Sequence, residues 1–176
     1  MKYPPQHHQD NDINHIIEVI KTYPLATLIS VKNEELFITH LPLIYNETNG
    51  NLIGHIDLYN PQAELLKNNQ PVTVIFSGPQ CYISPFIYTT TQLPTWNYIK
   101  VHLKGHVQSI NDSEAIKNSM IQMTEFLEQP DHKYVLEADN PRMDAAINYV
   151  KGFEISITHW EGKFKLSQDK KPKDIA

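Results

Sequence analysis

A chain of 176 residues with 40% hydrophobic and 20% charged residues has the composition of a globular protein, which excludes disordered and low-complexity classes. Its net charge of −5 and its single arginine, Arg142, do not provide the basic stripe that is typical of nucleic-acid-binding proteins. A lone cysteine, Cys81, excludes disulfides within the chain and zinc sites that need two or more cysteines.

The sequence pattern shows no membrane or export signal. No stretch approaches the ~20 consecutive apolar residues of a membrane-spanning helix. The first residues lack the apolar run of a signal peptide. We therefore expect a cytoplasmic protein that does not enter a membrane.

The first part of the sequence predicts a helix followed by strands. Isoleucines recur at helical spacing over residues 13–20, with Asp10 or Asp12 as the N-cap, and Tyr23-Pro24 ends the helix. Three strands follow, at residues 25–31, 35–43 and 51–57. Turn-forming residues 46–50 join the last two as a hairpin.

The middle of the sequence predicts a short helix and two further strands. The helix begins at Asn60-Pro61, because asparagine caps helices and proline fits their first turn. The strands cover residues 71–77 and 96–107, and Gly78-Pro79 is expected to turn the chain after the first of them. Apolar and polar residues alternate along the second strand, as expected for a strand buried on one face.

The last third predicts two helices and a returning strand. Apolar residues at helical spacing indicate helices near residues 112–127 and 140–151, the second ending at Gly152. Alternation over residues 153–158 predicts a strand, and a polar, lysine-rich tail is expected from Trp160 onward.

Strands that follow one another with only one short helix between them favour an antiparallel barrel over a doubly wound α/β sheet. We therefore predict a mainly β protein with helices (α+β), folded as a single domain over residues 1–176. Its barrel strands would lie at about residues 25–109, and two C-terminal helices at about residues 112–151 would cover them. A returning strand and tail would occupy residues 152–176.

Motifs of several enzyme classes are missing from the sequence. It has no Gly-x-Gly-x-x-Gly, no P-loop, no Gly-x-Ser-x-Gly and no His-Glu-x-x-His. His102 and His106 lie four residues apart on a predicted strand, hence about 13 Å apart, and cannot hold one metal ion together. We therefore predict no metal site and identify no catalytic group.

Polar and aromatic residues cluster at the predicted strand ends and turns. The segments concerned are 39–42, 54–55, 60–61, 78–85 and 94–98. Two interpretations stay open. Barrel corners use proline, glycine and asparagine for turns and aromatic residues to fill their ends. Alternatively, aromatic rings beside a few converging polar groups form the pocket of a planar ligand.

The same segments carry a family resemblance. Its most specific blocks are Tyr82-Ile83-Ser84-Pro85 and Pro94-Thr95-Trp96-Asn97-Tyr98, together with Thr39-His40-Leu41-Pro42-Leu43, Gly54-His55 and Asn60-Pro61. With these blocks the chain resembles the PaiB-type FMN-binding negative transcriptional regulators along nearly its whole length. The resemblance implies an antiparallel split β-barrel of the FMN-binding split-barrel type. It also implies a homodimer with flavin at the subunit interface, and repression of genes such as those for proteases and sporulation.

The resemblance further implies a set of cofactor-binding residues. They are Thr39, His40, Leu41, Pro42, His55, Asn60, Gln62, Tyr82, Trp96 and Asn97. The first four would line one edge of the flavin, the next three would face its phosphate or ribityl chain, and the last three could come from either subunit. The family pattern has an arginine near Leu58, and this chain has none. Backbone N–H groups at the start of the Pro61 helix, His102 or Lys104 would then contact the phosphate.

Three functions are compatible with these residues. The first is an FMN-binding transcriptional regulator that acts as a homodimer. The second is a small FMN-dependent oxidoreductase of the pyridoxamine-phosphate-oxidase-like class, because a flavin carries most of its own chemistry. The third is a barrel that binds no cofactor, or binds haem, and acts through protein partners.

Direct DNA binding has little support in the sequence. About a dozen polar residues separate the two late helices, so these helices do not form a helix-turn-helix. The candidate DNA-binding segment is the lysine-rich tail, with Lys163, Lys165, Lys170, Lys171 and Lys173.

Overall fold

The computed structural model describes residues 4–171 and residue 174. In this part of the chain the strands are β1 (Gln9–Asp10), β2 (Leu25–Lys32), β3 (Glu35–Tyr45), β4 (Leu52–Asp57), β5 (Pro71–Ile83), β6 (Thr95–Ile110) and β7 (Val150–Lys165). The α-helices are α1 (Ile13–Thr22), α2 (Ser113–Leu127) and α3 (Pro141–Ala146). Short 3₁₀ helices occupy Gln6–His8, Pro61–Leu65, Pro85–Ile87 and Ile147–Tyr149. The prediction of a mainly β protein with helices is confirmed, with α1 present in addition to the two later helices.

All the strand pairs are antiparallel, and they form one sheet. The strand order is β1-β7-β4-β3-β2-β5-β6, and β6 pairs with β7 as well. This additional pairing closes the strands from β2 through β7 into a ring. β7 closes the ring because it pairs with β4 at its beginning, with β6 along nearly its whole length, and with β1 near its end.

The ring is incomplete beside β3. β2 pairs with β3 from Glu35 to Pro42, whereas β4 pairs with β3 only through Leu43, Ile44 and Tyr45. Among the described residues no strand pairs with the second edge of β3 over residues 35–42. We call this stretch the open edge of β3.

The main core fills the inside of the ring. Residues that alternate along the strands point inward, and α1 adds Ile16 and Ile20 to them. The fully buried strand residues include Ala26, Leu28, Val74, Phe76, Val101, Val107, Phe153 and Ile155. Each large apolar side chain buried in this way contributes roughly 1.5–3 kcal/mol. A second, smaller cluster lies on the outer side of β4, where Ile53 and Ile44 pack against Met123 of α2.

Local signals placed the first helix correctly. The Asp12 side chain accepts a hydrogen bond from the backbone N–H of Asn14, as an N-cap does. α1 ends at Thr22, before Tyr23, which Pro24 disfavours in a helical conformation. None of the helices described in residues 4–171 has the length and apolar character that a membrane span requires.

The predicted turn at Gly78-Pro79 is wrong. β5 continues through these residues, and its pairing with β6 resumes at Gln80 after a bulge that follows Ser77. A proline is tolerated in a strand at such a bulge, because the ladder hydrogen bond is already interrupted there. β5 and β6 therefore extend together to residues Ile83 and Thr95, and we call the part beyond the bulge the β5–β6 extension.

The boundaries predicted for the last helix and the tail are also wrong. α3 ends at Ala146, and Gly152 lies inside β7, where the side chains of Ile110 and Ile116 leave no ordinary space for a side chain. β7 continues to Lys165, because β6 pairs with it up to that residue.

The lysine-rich tail is accordingly shorter than expected. Lys163 and Lys165 belong to β7, and the Lys163 ammonium is buried 5.0 Å from the centre of the Tyr98 ring. Lys170 and Lys171 follow the strand, and Lys173 lies outside the described residues.

Candidate functional site

Three of the predicted site residues meet at the open edge of β3. The Asn60 side-chain amide donates a hydrogen bond to Thr39 Oγ1 at 3.0 Å, and Asn60 Oδ1 accepts one from the Gln62 backbone N–H at 2.9 Å. Gln62 Nε2 donates to Ser30 Oγ at 2.9 Å and to the Leu28 carbonyl oxygen at 3.2 Å. This network holds the Pro61–Leu65 helix against β2 and β3.

Gln62 is an anchor of this helix and does not point outward. Its side chain is 1% exposed and faces the interior of the ring, where Oε1 has no hydrogen-bond partner among the described residues. The start of the helix has no free N–H group for a phosphate. Pro61 has no N–H, and the N–H groups of Gln62 and Ala63 donate to the side chain and carbonyl of Asn60.

The four predicted residues of β3 divide between two faces of the sheet. Side chains alternate along a strand, so Thr39 and Leu41 lie on one face while His40 and Pro42 lie on the other. Leu41 is buried in the main core. His40 is exposed, and its Nδ1 lies 3.0 Å from Thr27 Oγ1 on the neighbouring strand. Backbone groups alternate between the two edges of a strand in the same way. The Leu43 N–H donates to the Pro24 carbonyl on the β2 side, so the backbone groups of Thr39 and Leu41 also face β2. A flat ligand at the open edge would therefore meet the backbone groups of His40 and the carbonyl of Pro42.

His55 is placed elsewhere, on the outer side of β4 beneath α2. Its Nε2 lies 2.7 Å from Ser119 Oγ, and Ser119 Oγ donates to the Ile116 carbonyl at 2.7 Å. Because the single hydroxyl proton goes to Ile116, His55 donates to Ser119 through Nε2–H. Burial lowers the pKa of His55 to about 4, so the ring is neutral at pH 7. The expectation that His55 faces a phosphate is not supported by this arrangement.

Tyr82, Trp96 and Asn97 lie on the β5–β6 extension. Tyr82 and Trp96 are paired across the two strands with ring centroids 6.3 Å apart, and both rings are about half exposed. The Asn97 side-chain oxygen accepts a hydrogen bond from Ser167 Oγ at 3.1 Å. In the described part of the chain, no hydrogen bond or ring contact joins these residues to Thr39 or Asn60.

The sequence reasoning missed a lysine beside the Pro61–Leu65 helix. Lys151 Nζ donates to the Ala63 carbonyl at 2.9 Å. Burial lowers the pKa of Lys151, and the nearby Lys67 ammonium lowers this pKa further. The pairing of Lys151 with Ile56 brings it here, a contact between β7 and β4 that no local motif signals. By contrast, His102 and Lys104 lie on β6, separated from β3 by β2 and β5.

This arrangement suits the recognition of a flat, polar heterocycle better than acid–base catalysis. The open edge offers backbone N–H and C=O groups, and Thr39 and Asn60 add a hydroxyl and an amide. Lys151, on the Ala63 carbonyl of the adjoining helix and with Lys67 near it, adds positive charge. Within the residues that are described, no three His, Cys, Asp or Glu side chains lie close enough to hold a metal ion. The residues present therefore fit a flavin, with hydrogen bonds for its ring and lysines for its phosphate.

Comparison with known proteins shows the family to which the chain belongs. Residues 2–159 match the family described as "Putative FMN-binding domain", and the chain is a member of it. Among curated proteins, the chain is 25% identical over 175 residues to protease synthase and sporulation protein PAI 2 of Bacillus subtilis. That alignment covers 98% of this chain and 84% of the relative. These matches confirm the resemblance seen in the sequence.

Solved structures share the fold. The FAD and heme binding protein from Mycobacterium smegmatis superposes with a TM-score of 0.73 at 17% identity, covering 96% of this chain and 78% of that chain. The flavocytochrome Anf3 from Azotobacter vinelandii superposes with a TM-score of 0.69 at 18% identity, covering 95% of this chain and 74% of that chain. At these identities the likeness concerns the fold alone.

Proposed function

We propose that the protein binds FMN at the open edge of β3 and acts as a homodimeric transcriptional regulator of the PaiB type, built on a split β-barrel. The observation that carries the flavin site is the unpaired second edge of β3 beside Asn60. Membership of the FMN-binding-domain family supports the ligand class. The relationship to PAI 2, whose name associates it with protease synthesis and sporulation, supports the regulatory role.

The proposed contacts follow from the chemistry of FMN. The pyrimidine side of its ring carries C=O and N–H groups, which complement the N–H and C=O groups of an unpaired strand edge. Thr39 on β3 and Asn60 at the start of the neighbouring helix would orient the ring. The phosphate, with a charge of about −1.5 to −2, needs cationic partners, and Lys67 and Lys151 are the candidates. The bound flavin would supply redox chemistry of its own.

A dimer is proposed from the outer face of β2 and β3. Four apolar side chains that are more than half exposed lie there, namely Leu25, Val31, Leu36 and Ile38. We call them the apolar strip. Exposed apolar residues grouped on one face of a soluble protein mark an interaction surface. We propose that Tyr82, Trp96 and Asn97, which one chain does not bring to Thr39, reach the flavin from the second subunit.

The flavin site is tested by the absorption spectrum of the purified protein, followed by a fluorescence titration with FMN. We expect saturable binding of one FMN per subunit. Thr39→Val and Asn60→Ala should each weaken it about tenfold or more, because each loses a polar contact worth ~1.5 kcal/mol. His55→Gln is the matched control, since His55 lies beneath α2, and its affinity should equal that of the parent protein. A colourless protein that does not respond to FMN would contradict the proposal.

The same preparation separates the three functions inferred from the sequence. Turnover of a nicotinamide cofactor in the presence of FMN would favour the oxidoreductase, and a haem absorption band would favour the haem-binding alternative. Retardation of promoter DNA that disappears with added salt would support direct DNA binding by the regulator. No binding at low salt would exclude direct binding. That outcome would agree with the length of the 128–140 segment, which separates α2 from α3 too widely for a helix-turn-helix.

The dimer is tested by sedimentation. Ile38→Asp should convert the dimer to a monomer, because it places a charge in the apolar strip. Glu35→Ala, at the start of the same strand, is the control and should remain dimeric. A parent protein that sediments as a monomer at micromolar concentration would contradict the proposed dimer.

A further inference from the structure

A groove crosses the outer face of β2, β5 and β6, away from the open edge of β3. It has a volume of about 360 Å³. Its walls include Ile29 and Val31 on β2, Pro71 and Thr73 on β5, and Lys104 and His106 on β6. It shares no residue with the proposed flavin contacts, and it shares Val31 with the apolar strip.

The register of the sheet gives the groove two chemically different walls. Ile29 is paired with Thr73, and Thr73 is paired with Lys104, so one row runs from an apolar side chain through a hydroxyl to an ammonium group. At a strand spacing of ~4.8 Å, the Cα atoms at the two ends of this row are about 10 Å apart. In the next row Pro71 is paired with His106, which places an apolar ring beside an imidazole.

A β-bulge lies beside the wall of the groove that Lys104 and His106 form. The register between β6 and β7 shifts between Lys104 and Gly105, so Thr158 is an extra residue on β7, and its hydroxyl donates to the Lys104 carbonyl at 3.1 Å. A Cβ atom at Gly105 would lie 2.4 Å from the Ser156 carbonyl oxygen, so only glycine permits this close approach. Bulges commonly redirect side chains next to binding sites.

The Lys104 ammonium is not neutralised by the protein. Lys100, on the same strand and face, donates to Ser77 Oγ, and His102 contacts the Glu161 carboxylate at 3.1 Å. Lys104 makes no side-chain hydrogen bond or ion pair within the described residues. No carboxylate lines the groove, although the chain carries a net charge of −5. The groove therefore presents an unpaired cation opposite an apolar wall.

We propose that this groove binds a small organic acid, with its carboxylate on Lys104 and a compact apolar body against Ile29 and Pro71. Thr73 lies between the two parts and can donate its hydroxyl proton to the acid. A cavity of about 150 Å³ accommodates benzene, so the larger groove accommodates an aromatic ring together with a carboxylate. One lysine with hydroxyl groups suits a monoanion, whereas a phosphate recruits several cations.

The proposal is tested with sodium benzoate as the probe, added to uniformly ¹⁵N-labelled full-length protein at constant ionic strength. Saturable amide shifts confined to residues 29–31, 72–73 and 104–106 are expected. Lys104→Gln should weaken binding about tenfold or more, the effect of losing a charge-assisted hydrogen bond. Ile29→Ser should weaken it similarly by removing the apolar wall. Lys100→Gln is the matched control and should bind benzoate as the parent protein does.

Three results would overturn the proposal. Shifts that grow linearly with benzoate would mean that no site exists. Equal binding of inorganic phosphate would mean that the apolar wall recognises nothing. Displacement of benzoate by FMN would make the groove part of the flavin site. Because Lys104 is exposed, Lys104→Gln should melt at the same temperature as the parent protein, so that loss of binding does not reflect unfolding.

Discussion

The outer side of β4 and the outer side of β2 and β3 belong to the same sheet, yet the chain treats them differently. On β4, α2 covers Ile53, which is 3% exposed, and the His55–Ser119 pair next to it. On β3, Ile38 is 56% exposed, and no described residue of the chain covers the apolar strip around it. Two isoleucines at outward positions thus have opposite environments. The difference separates the side of the sheet that the chain covers by itself from the side that the proposed second subunit would cover.

The largest expected effect is the difference in folding stability between truncating Ile53 and truncating Ile38. Ile53→Ala should lower the free energy of unfolding by about 2–5 kcal/mol, because it opens a cavity between β4 and α2. Ile38→Ala should change it by less than about 0.5 kcal/mol in dilute protein, since its side chain is already in water. Urea unfolding of both variants at two protein concentrations measures the difference.

The concentration dependence sharpens the comparison. If a second copy covers the apolar strip, the cost of Ile38→Ala should grow as the protein concentration rises, whereas the cost of Ile53→Ala should not. Equal costs for the two variants in dilute protein would show that both sides are sealed within one chain.

The next effect is a dependence of stability on pH that originates on the covered side. The pKa of His55 in the fold is about 4, below the ordinary histidine pKa of 6.5, so the unfolded chain binds this proton first as the pH falls. The stabilisation is complete above pH 6.5 and is lost as the pH falls toward 4, a change of about 3 kcal/mol. His55→Gln, which keeps a donor for Ser119, should remove this part of the pH profile. A profile of unchanged steepness, measured by urea unfolding between pH 4 and 8, would contradict the assignment.

The smallest effect concerns the open edge of β3. Asn60→Ala removes the cap of the Pro61–Leu65 helix and should cost about 1 kcal/mol of folding stability. Saturating FMN should stabilise the parent protein more than this variant, because the variant binds the flavin less tightly. Thermal melts without FMN measure the loss of folding stability, and melts with FMN measure the stabilisation that the flavin adds. A variant that gains as much from FMN as the parent protein would remove Asn60 from the flavin site.

Local signals in the sequence were sufficient for elements whose conformation is decided by their own residues. The Asp12 cap, the Asn60-Pro61 helix start and the early strands were predicted close to where they lie. Where a partner strand decides the structure, the sequence was insufficient. Residues 160–165 have no strand pattern of their own and extend β7 because β6 pairs with them, and Gly78-Pro79 has turn chemistry but forms a bulge.

The candidate site divides in the same way. Thr39 and Asn60 were predicted from the family resemblance, and the structure joins them by a hydrogen bond. Lys151 was missed because only the pairing of β7 with β4 brings it to Ala63. The orientation of His55 could not be predicted, because alternation along β4 does not reveal which face a helix from another part of the chain will cover.

The position of β7 has a consequence for how the protein is made. A ribosome synthesises the chain from its N-terminus, so β4 and β6 are complete before the strand that pairs with both of them emerges. During that interval each of them presents a free strand edge, the feature through which nascent chains associate with one another. Synthesis slowed or interrupted before residue 150 would thus leave a chain with the core residues of six strands and no means of closing around them. The same order of events leaves the ring open until β7 is made, since β7 alone joins β4 to β6 by long-range contacts.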